Sequence, residues 1–193
     1  MKIFTYFAQA GYSTCYLVSP DKGTYCVLID PGQFDMKIID LMKQRDMLPR
    51  AILLTHTHRS HCDGVATIQK IYKTEIYAAT NMPNLSTNLI TGDEDLSIGE
   101  FNFEVLSTPG HSDDSVCYAL QPVIFTGDAI TAGTIGTTRT STARSTLSQS
   151  LFRKLLIRPD HEIILSGHGP PTTIGIERRF NIHFRAIEAE GCQ

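Results

Sequence analysis

The chain has 193 residues, 41% hydrophobic and 19% charged, a make-up that fits one globular domain spanning residues 1–193 with a substantial core. A net charge of −3 leaves no polyanion-binding footprint, so nucleic acid is excluded as a partner. Apolar runs such as AILL and EIIL are too short to cross a bilayer, which excludes a membrane-spanning protein.

The opening stretch MKIFTYFAQAGYSTCYL has one Lys, polar Gln9 and Ser13 and no apolar core segment, so it makes a poor signal peptide. It reads instead as short strands, KIFTYFA, STCYLVS and then TYCVLID, separated by Gly11 and the turn PDKG. DMKIIDLMKQRDM follows as a helix, with Ile38, Leu41 and Met42 on one face and Pro49 ending it. AILLT is a buried-type strand, and THTHRSHCDG begins where it ends. GVATIQKIYKTE sets Val65, Ile68, Ile71 and Tyr72 at helical spacing, and EIYAAT is a further strand.

The second half repeats the theme. DLSIGEFNFEVLSTPG reads as a hairpin plus strand leading to His111, and SVCYAL and PVIFTGD are strands, the latter ending at Asp128. STLSQSLFRKLLI is a helix with Leu147, Leu151, Leu155 and Leu156 inward, EIILSGHG runs into His168, and IERRFNIHFRAIEAE is a closing helix. Two similar halves of this kind predict an α+β architecture with sheets packed on each other and helices outside. Cys15, Cys26, Cys62, Cys117 and Cys192 are odd in number and irregular in spacing, which argues against a disulfide framework and for a reducing cytoplasm.

His56, His58, His61, His111, Asp128 and His168 each fall just after an apolar strand, in turns rich in Gly, Pro or Thr. Loops at strand ends are where a rigid scaffold presents reactive groups. Taken singly, each has a plain structural explanation: His111 as a turn residue, Asp128 as a cap, His168 as a loop histidine with a satisfied hydrogen bond. Five of the seven histidines sharing one placement is the signal. In extended chain, residues two apart point the same way, so His56 and His58 can bite one ion while His61 serves a second. Imidazole and carboxylate suit zinc, iron, manganese or cobalt, and a carboxylate such as Asp128 can bridge two ions.

THTHRSH, TPGHS, FTGDA and SGHGPPTTIG, in that order and spacing, resemble the metallo-β-lactamase fold superfamily, and within it the glyoxalase II (hydroxyacylglutathione hydrolase) branch. LIDPG and AGTIG match two further stretches of that pattern. The resemblance implies a four-layer αβ/βα sandwich with metals at one edge of the sheets. It implies His56, His58 and His111 on a first ion, His61 and His168 on a second, and Asp128 bridging. It also implies a metal-dependent hydrolase of a small thioester or ester, with a metal-bound hydroxide as nucleophile and no catalytic side chain beyond that water. The expected cofactor is one or two divalent ions, zinc first, with iron or manganese as alternatives. The expected partner is a small-molecule substrate, in the cytoplasm; oligomeric state is left open.

Three departures bear on that expectation. The family motif carries Asp where this chain has Ser60, so the second ion loses an anionic ligand and its site is expected to be weakened. Asp63 is either a substitute ligand or the N-cap of the next helix, and Cys62 a soft ligand or a structural thiol. The family's Arg and Asp after Gly-Ser-Ile-Gly are Thr137 and Arg139 here, and only one closing helix follows the last motif, where longer glyoxalase II enzymes add a helical region for glutathione. Two other readings remain: a mononuclear iron persulfide dioxygenase-like enzyme, and a degenerate non-catalytic metal-binding member. A Ser60/His61 nucleophilic hydrolase lacks the G-x-S-x-G elbow such enzymes carry.

Overall fold

Strand-forming runs separated by Gly, Pro and Asp turns fold into two mixed sheets in the computed structural model of the protein, which describes residues 1–185. Two compact units result, one of Met1–Gly92 with Leu96–Asn102, the other of Asp93–Asp95 with Phe103 onward.

The first unit is built on β1 (Lys2–Phe7), β2 (Thr14–Ser19), β3 (Tyr25–Ile29), β4 (Leu48–Leu53), β5 (Glu75–Ala78) and β6 (Asn88–Leu89), lying in chain order. β1 to β3 form an antiparallel meander, and β3 to β6 run parallel. Parallel neighbours need crossovers, which α1 (Met36–Gln44) and α3 (Val65–Tyr72) supply, with the short α2 (Arg59–Cys62) between β4 and α3. Ile38 and Met42 of α1 and Val65 and Ile68 of α3 are buried against Leu17, Leu28 and Ile52. Because Ile29 pairs with Leu53, the chain leaving β3 at Asp30 runs beside the chain leaving β4 at Leu54.

β7 (Glu94–Ile98) and β8 (Phe101–Ser107), whose residues are divided between the two units, and β9 (Val116–Leu120) and β10 (Val123–Gly127) of the second unit lead to a small hairpin, β11 (Ile130–Thr131) with β12 (Thr134–Ile135). α4 (Ser141–Ser150) continues into a π-helical turn at Leu151–Leu155; β13 (Ile163–Ser166), β14 (Thr172–Thr173) and α5 (Ile174–Phe180) follow. The sheet order is β14-β13-β10-β9-β8-β7, with β10 and β13 parallel and Gly127 paired with Ser166. That register brings the exits of β10 and β13, at Asp128 and Gly167, to one edge. Leu147, Leu151, Leu155 and Leu156 are all buried, as the helical pattern requires; the π turn carries the stripe through its last step.

Several expectations are corrected. Pro49 does not end α1: the helix stops because Asp46 takes a left-handed φ of 51°, and Pro49 sits inside β4 at a ladder irregularity that tolerates its missing N–H. Ile71 is 56% exposed rather than on the inward face of α3. α4 begins at Ser141, earlier than its apolar stripe, because Thr140 caps the Ala143 N–H at 3.1 Å. The closing helix breaks at Asn181 and resumes as a helical turn at 182–185; its expected continuation to residue 190 lies outside the described residues. No helix among the described residues is long and apolar enough to cross a membrane.

His183 fixes that last turn to α4. Its Nδ1 accepts from the Arg144 guanidinium at 3.0 Å, so Nε2 carries the proton and donates to Ser148 Oγ at 2.6 Å. Ser148 Oγ passes its own proton to the Arg144 carbonyl at 2.7 Å. A second imidazole proton would face a guanidinium N–H, so burial and then the Arg144 charge hold the His183 pKa below the ordinary value. The unfolded chain binds that proton more readily. This contribution to stability is therefore complete above about pH 6.5 and is lost as pH falls below it. His183→Gln is expected to show a shallower fall in Tm between about pH 7 and about pH 5 than the parent protein, measured by calorimetry at matched ionic strength.

Candidate metal centre

In the first unit the site grows from one carboxylate. Asp30 ends β3 in a left-handed conformation, φ 52°, and is 2% exposed. Its Oδ1 accepts the Thr55 N–H at 2.7 Å, and its Oδ2 accepts the Thr55 hydroxyl at 2.6 Å and His61 Nδ1–H at 2.9 Å. A buried anion of this kind is tolerable only with such partners. Its charge reaches further: burial, and then Asp30, push the Cys15 thiol and the Tyr16 phenol up, so both stay protonated.

Thr55 Oγ1 also lies 3.1 Å from His56 Nδ1; its proton is committed to Asp30, so it accepts from the ring. His56 and His61 thus both use Nδ1–H as donor, which leaves the ring lone pair on Nε2, the arrangement that orients an imidazole ligand. Their rings lie 4.1 Å apart by centroid, and His58 stands edge-on to His56 at 4.6 Å. The three expected histidines of this unit are therefore together. His61 comes as close to His56 as His58 does, because α2 turns the chain back instead of continuing the strand. Asp30, His56 and His61 place ligating atoms within 4.8 Å of one another.

α2 is seated tightly. The Ser60 carbonyl accepts from the buried Ser13 hydroxyl at 2.5 Å, and Gly32 passes so near that a Cβ there would lie 1.5 Å from the same oxygen. Only glycine allows that approach. Asp63 does not cap α3: the cap is Gly64, and Asp63 lies 3.2 Å from Arg59 Nε one turn back. Cys62 is half-buried against the core with Sγ 3.4 Å from the Thr57 carbonyl, as a structural thiol would be.

The second unit gathers the other three residues. Asp128 Oδ1 lies 2.8 Å from His168 Nδ1, and its Oδ2 lies 3.6 Å from His111 Nε2. His111 Nδ1 faces the Thr137 carbonyl at 2.9 Å; a carbonyl can only accept, so Nδ1 carries the proton and Nε2 the lone pair toward Asp128. Gly136 makes this possible, since a Cβ there would lie 1.9 Å from the Asp128 carbonyl and 3.2 Å from His111 Cβ. Imidazole and carboxylate donors of this disposition suit a first-row divalent cation.

Two residues of the site escaped the sequence reading, Asp30 and Thr55. Asp30 had a signal: LIDPG ends an apolar strand on a charged residue, which a strand exit covered by protein must pair. Thr55, in a Thr-rich turn, had none.

A model of the metallo-β-lactamase superfamily matches residues 8–81 and 76–168. The chain is 33% identical over 190 residues to a probable metallo-hydrolase, YqgX, of Bacillus subtilis, covering 86% of this chain and 89% of that protein. It is 31% identical over 150 residues to the hydroxyacylglutathione hydrolase of Yersinia enterocolitica, covering 77% of this chain but only 59% of that enzyme's length. Among solved structures it resembles the BLEG-1 B3 metallo-β-lactamase, with TM-score 0.85, 29% identity and coverage of 95% and 99%. It likewise resembles ETHE1 from Myxococcus xanthus, with TM-score 0.85, 26% identity and coverage of 96% and 85%. The α+β fold expected from the motifs is the observed one.

Replacing Asp30 with Asn keeps the size but sets an amide N–H against donors from Thr55 and His61. Asp30→Asn is expected to weaken divalent-metal binding about ten- to hundredfold in a chelator competition, and to lower Tm as well.

Proposed function

This chain belongs to the metallo-β-lactamase superfamily, a family of metallo-hydrolases, and on that premise we propose that it hydrolyses a small thioester or ester in the manner of glyoxalase II. In this reading His56, His58 and His111 would hold a first ion and His61 and His168 a second, with Asp128 offering a carboxylate that both could use. A divalent ion there supplies a Lewis acid that polarises the substrate carbonyl and acidifies a water. The observation that carries the reading is the common anchoring of His56, His61 and His111 through Nδ1–H, which puts each lone pair on Nε2.

The chain's own residues do the rest by orientation. Asp30 and Thr55 aim His56 and His61, and the Thr137 carbonyl aims His111. Water oxygen bonds to the acyl carbon, the C–S or C–O bond breaks, and the leaving group departs with its electron pair while the water's protons pass to solvent and the leaving group. A thiolate needs little protonation to leave, which agrees with the absence of a dedicated acid in the expected set.

Ser60 decides how many ions are held. A neutral hydroxyl in place of a carboxylate removes one unit of compensating charge from the second set, so one ion is expected to bind firmly and the other weakly. Glutathione is not assigned as the leaving group. Thr137 and Arg139 replace the family's charged pair, and the chain spans 59% of the hydroxyacylglutathione hydrolase it matches.

The test is metal per chain by elemental analysis, followed by hydrolysis of S-lactoylglutathione and of a generic ester by the loaded protein. About one equivalent of zinc and turnover of at least one substrate are expected. No metal, or no turnover of either, sinks the reading. One equivalent of iron with oxygen uptake on glutathione persulfide would instead favour the mononuclear oxygenase that Ser60 also permits. Ser60→Asp is expected to raise second-ion affinity at least roughly tenfold.

A further inference from the structure

Glu177 is a carboxylate with no exposure and no part in the ligand set. It lies on α5 and is surrounded by donors. Thr172 Oγ1 donates to Oε1 at 2.7 Å, Asn181 Nδ2 to Oε2 at 2.6 Å, and the Gly133 N–H to both oxygens at 3.2 and 3.0 Å. Ordinary packing would be met by an apolar residue at lower desolvation cost. A carboxylate instead fixes the direction and position of whatever it grips, because charge-assisted hydrogen bonds are short and directional.

What it grips is the tip of the β11–β12 hairpin. Gly133 is held from both sides by the C-terminal segment: its N–H by Glu177, and its carbonyl by the Ile182 N–H at 3.1 Å. The hairpin is only two residue pairs long, Ile130 with Ile135 and Thr131 with Thr134, so it has little rigidity of its own. Gly136 extends the ladder by donating to the Ala129 carbonyl at 3.1 Å, and Thr137 then offers the carbonyl that His111 Nδ1–H uses. From Gly133 to Thr137 the chain runs four residues, about 13 Å if extended. The Gly136–Ala129 bond holds this stretch at its near end, and the Glu177 clamp at Gly133 holds it at its far end.

We propose that Glu177 is a positioning residue for His111: by clamping Gly133 it sets the Thr137 carbonyl that keeps His111 in its Nδ1–H tautomer. This rests on the reading of His111 as a metal ligand, since only then does the tautomer matter for function. Without the clamp the Thr137 carbonyl drifts, the Nε2–H tautomer becomes populated, and the nitrogen that should carry the lone pair carries a proton.

The decisive measurement uses metal-free full-length protein labelled with ¹⁵N-histidine, at about pH 8 where imidazole is neutral. In long-range ¹H–¹⁵N spectra the parent His111 is expected as the Nδ1–H tautomer. Glu177→Gln presents an amide N–H to the same donors and is expected to give a mixture of tautomers, with zinc affinity weakened at least about tenfold. Met42→Ala, a buried change in the other unit, is the control for lost stability and is expected to leave the His111 signal as in the parent. An unchanged His111 tautomer in folded Glu177→Gln, or the same shift in Met42→Ala, overturns the proposal. If Glu177→Gln does not fold, Thr172→Val and Asn181→Ala take its place, each removing one donor, and unchanged spectra in both overturn it. Should the parent protein take up no metal at all, the functional reading fails while the spectra still decide the role of Glu177.

Discussion

The buried carboxylate of Asp30 is the interaction on which the first unit's chemistry depends. An unpaired anion at 2% exposure would be prohibitively costly, so the fold must bring three donors to it, and those donors are the residues that shape the site. Once Thr55 is fixed by two bonds to Asp30, the strand exit that carries His56 has one path. Once His61 donates to the same oxygen, α2 must turn back toward β3 rather than away from it. Electrostatic satisfaction of one side chain therefore sets the geometry of two ligand candidates, and the desolvation cost of that side chain makes the arrangement all-or-none.

The second unit reaches the same end by a different device. There the orienting acceptor for His111 is a main-chain carbonyl, and main chain has to be held by something beyond itself. A short hairpin bridges the interval, glycine at 136 lets it pass against Asp128, and the C-terminal helix closes the chain of contacts at Gly133. In both units the parallel strand pairs are what make this possible. β3 with β4, and β10 with β13, deliver successive loops to a common edge because parallel neighbours end on the same side.

Much of this was legible in the residues. Apolar runs ending in His or Asp marked the strand exits, and the leucine spacing of α4 marked its buried face through a π turn that the pattern itself did not announce. The six candidate ligands fall three to a unit, each triad assembled. What escaped was whatever depends on main-chain conformation or on contacts distant in sequence. Pro49 read as a helix stop because local propensity does not foresee a strand beginning at Leu48, set by pairing with Tyr25. Asp63 read as a cap or a substitute ligand, but its partner proved to be Arg59 on the preceding turn. β11 and β12, two residues each, lie below the length at which alternation carries information. Asp30 carried only the signal of a charge closing the apolar strand in LIDPG; its donors, 25 and 31 residues away, leave no mark beside it in the sequence.

The seating of Ser60 carries a consequence for how such a centre can change over evolutionary time. The scaffold grips this residue through its carbonyl oxygen, by the Ser13 hydroxyl on one side and the bare Gly32 on the other. The backbone of α2 is thereby specified without reference to the side chain at position 60. A lineage can therefore exchange the side chain at that one position without disturbing the Ser13 and Gly32 contacts that seat α2.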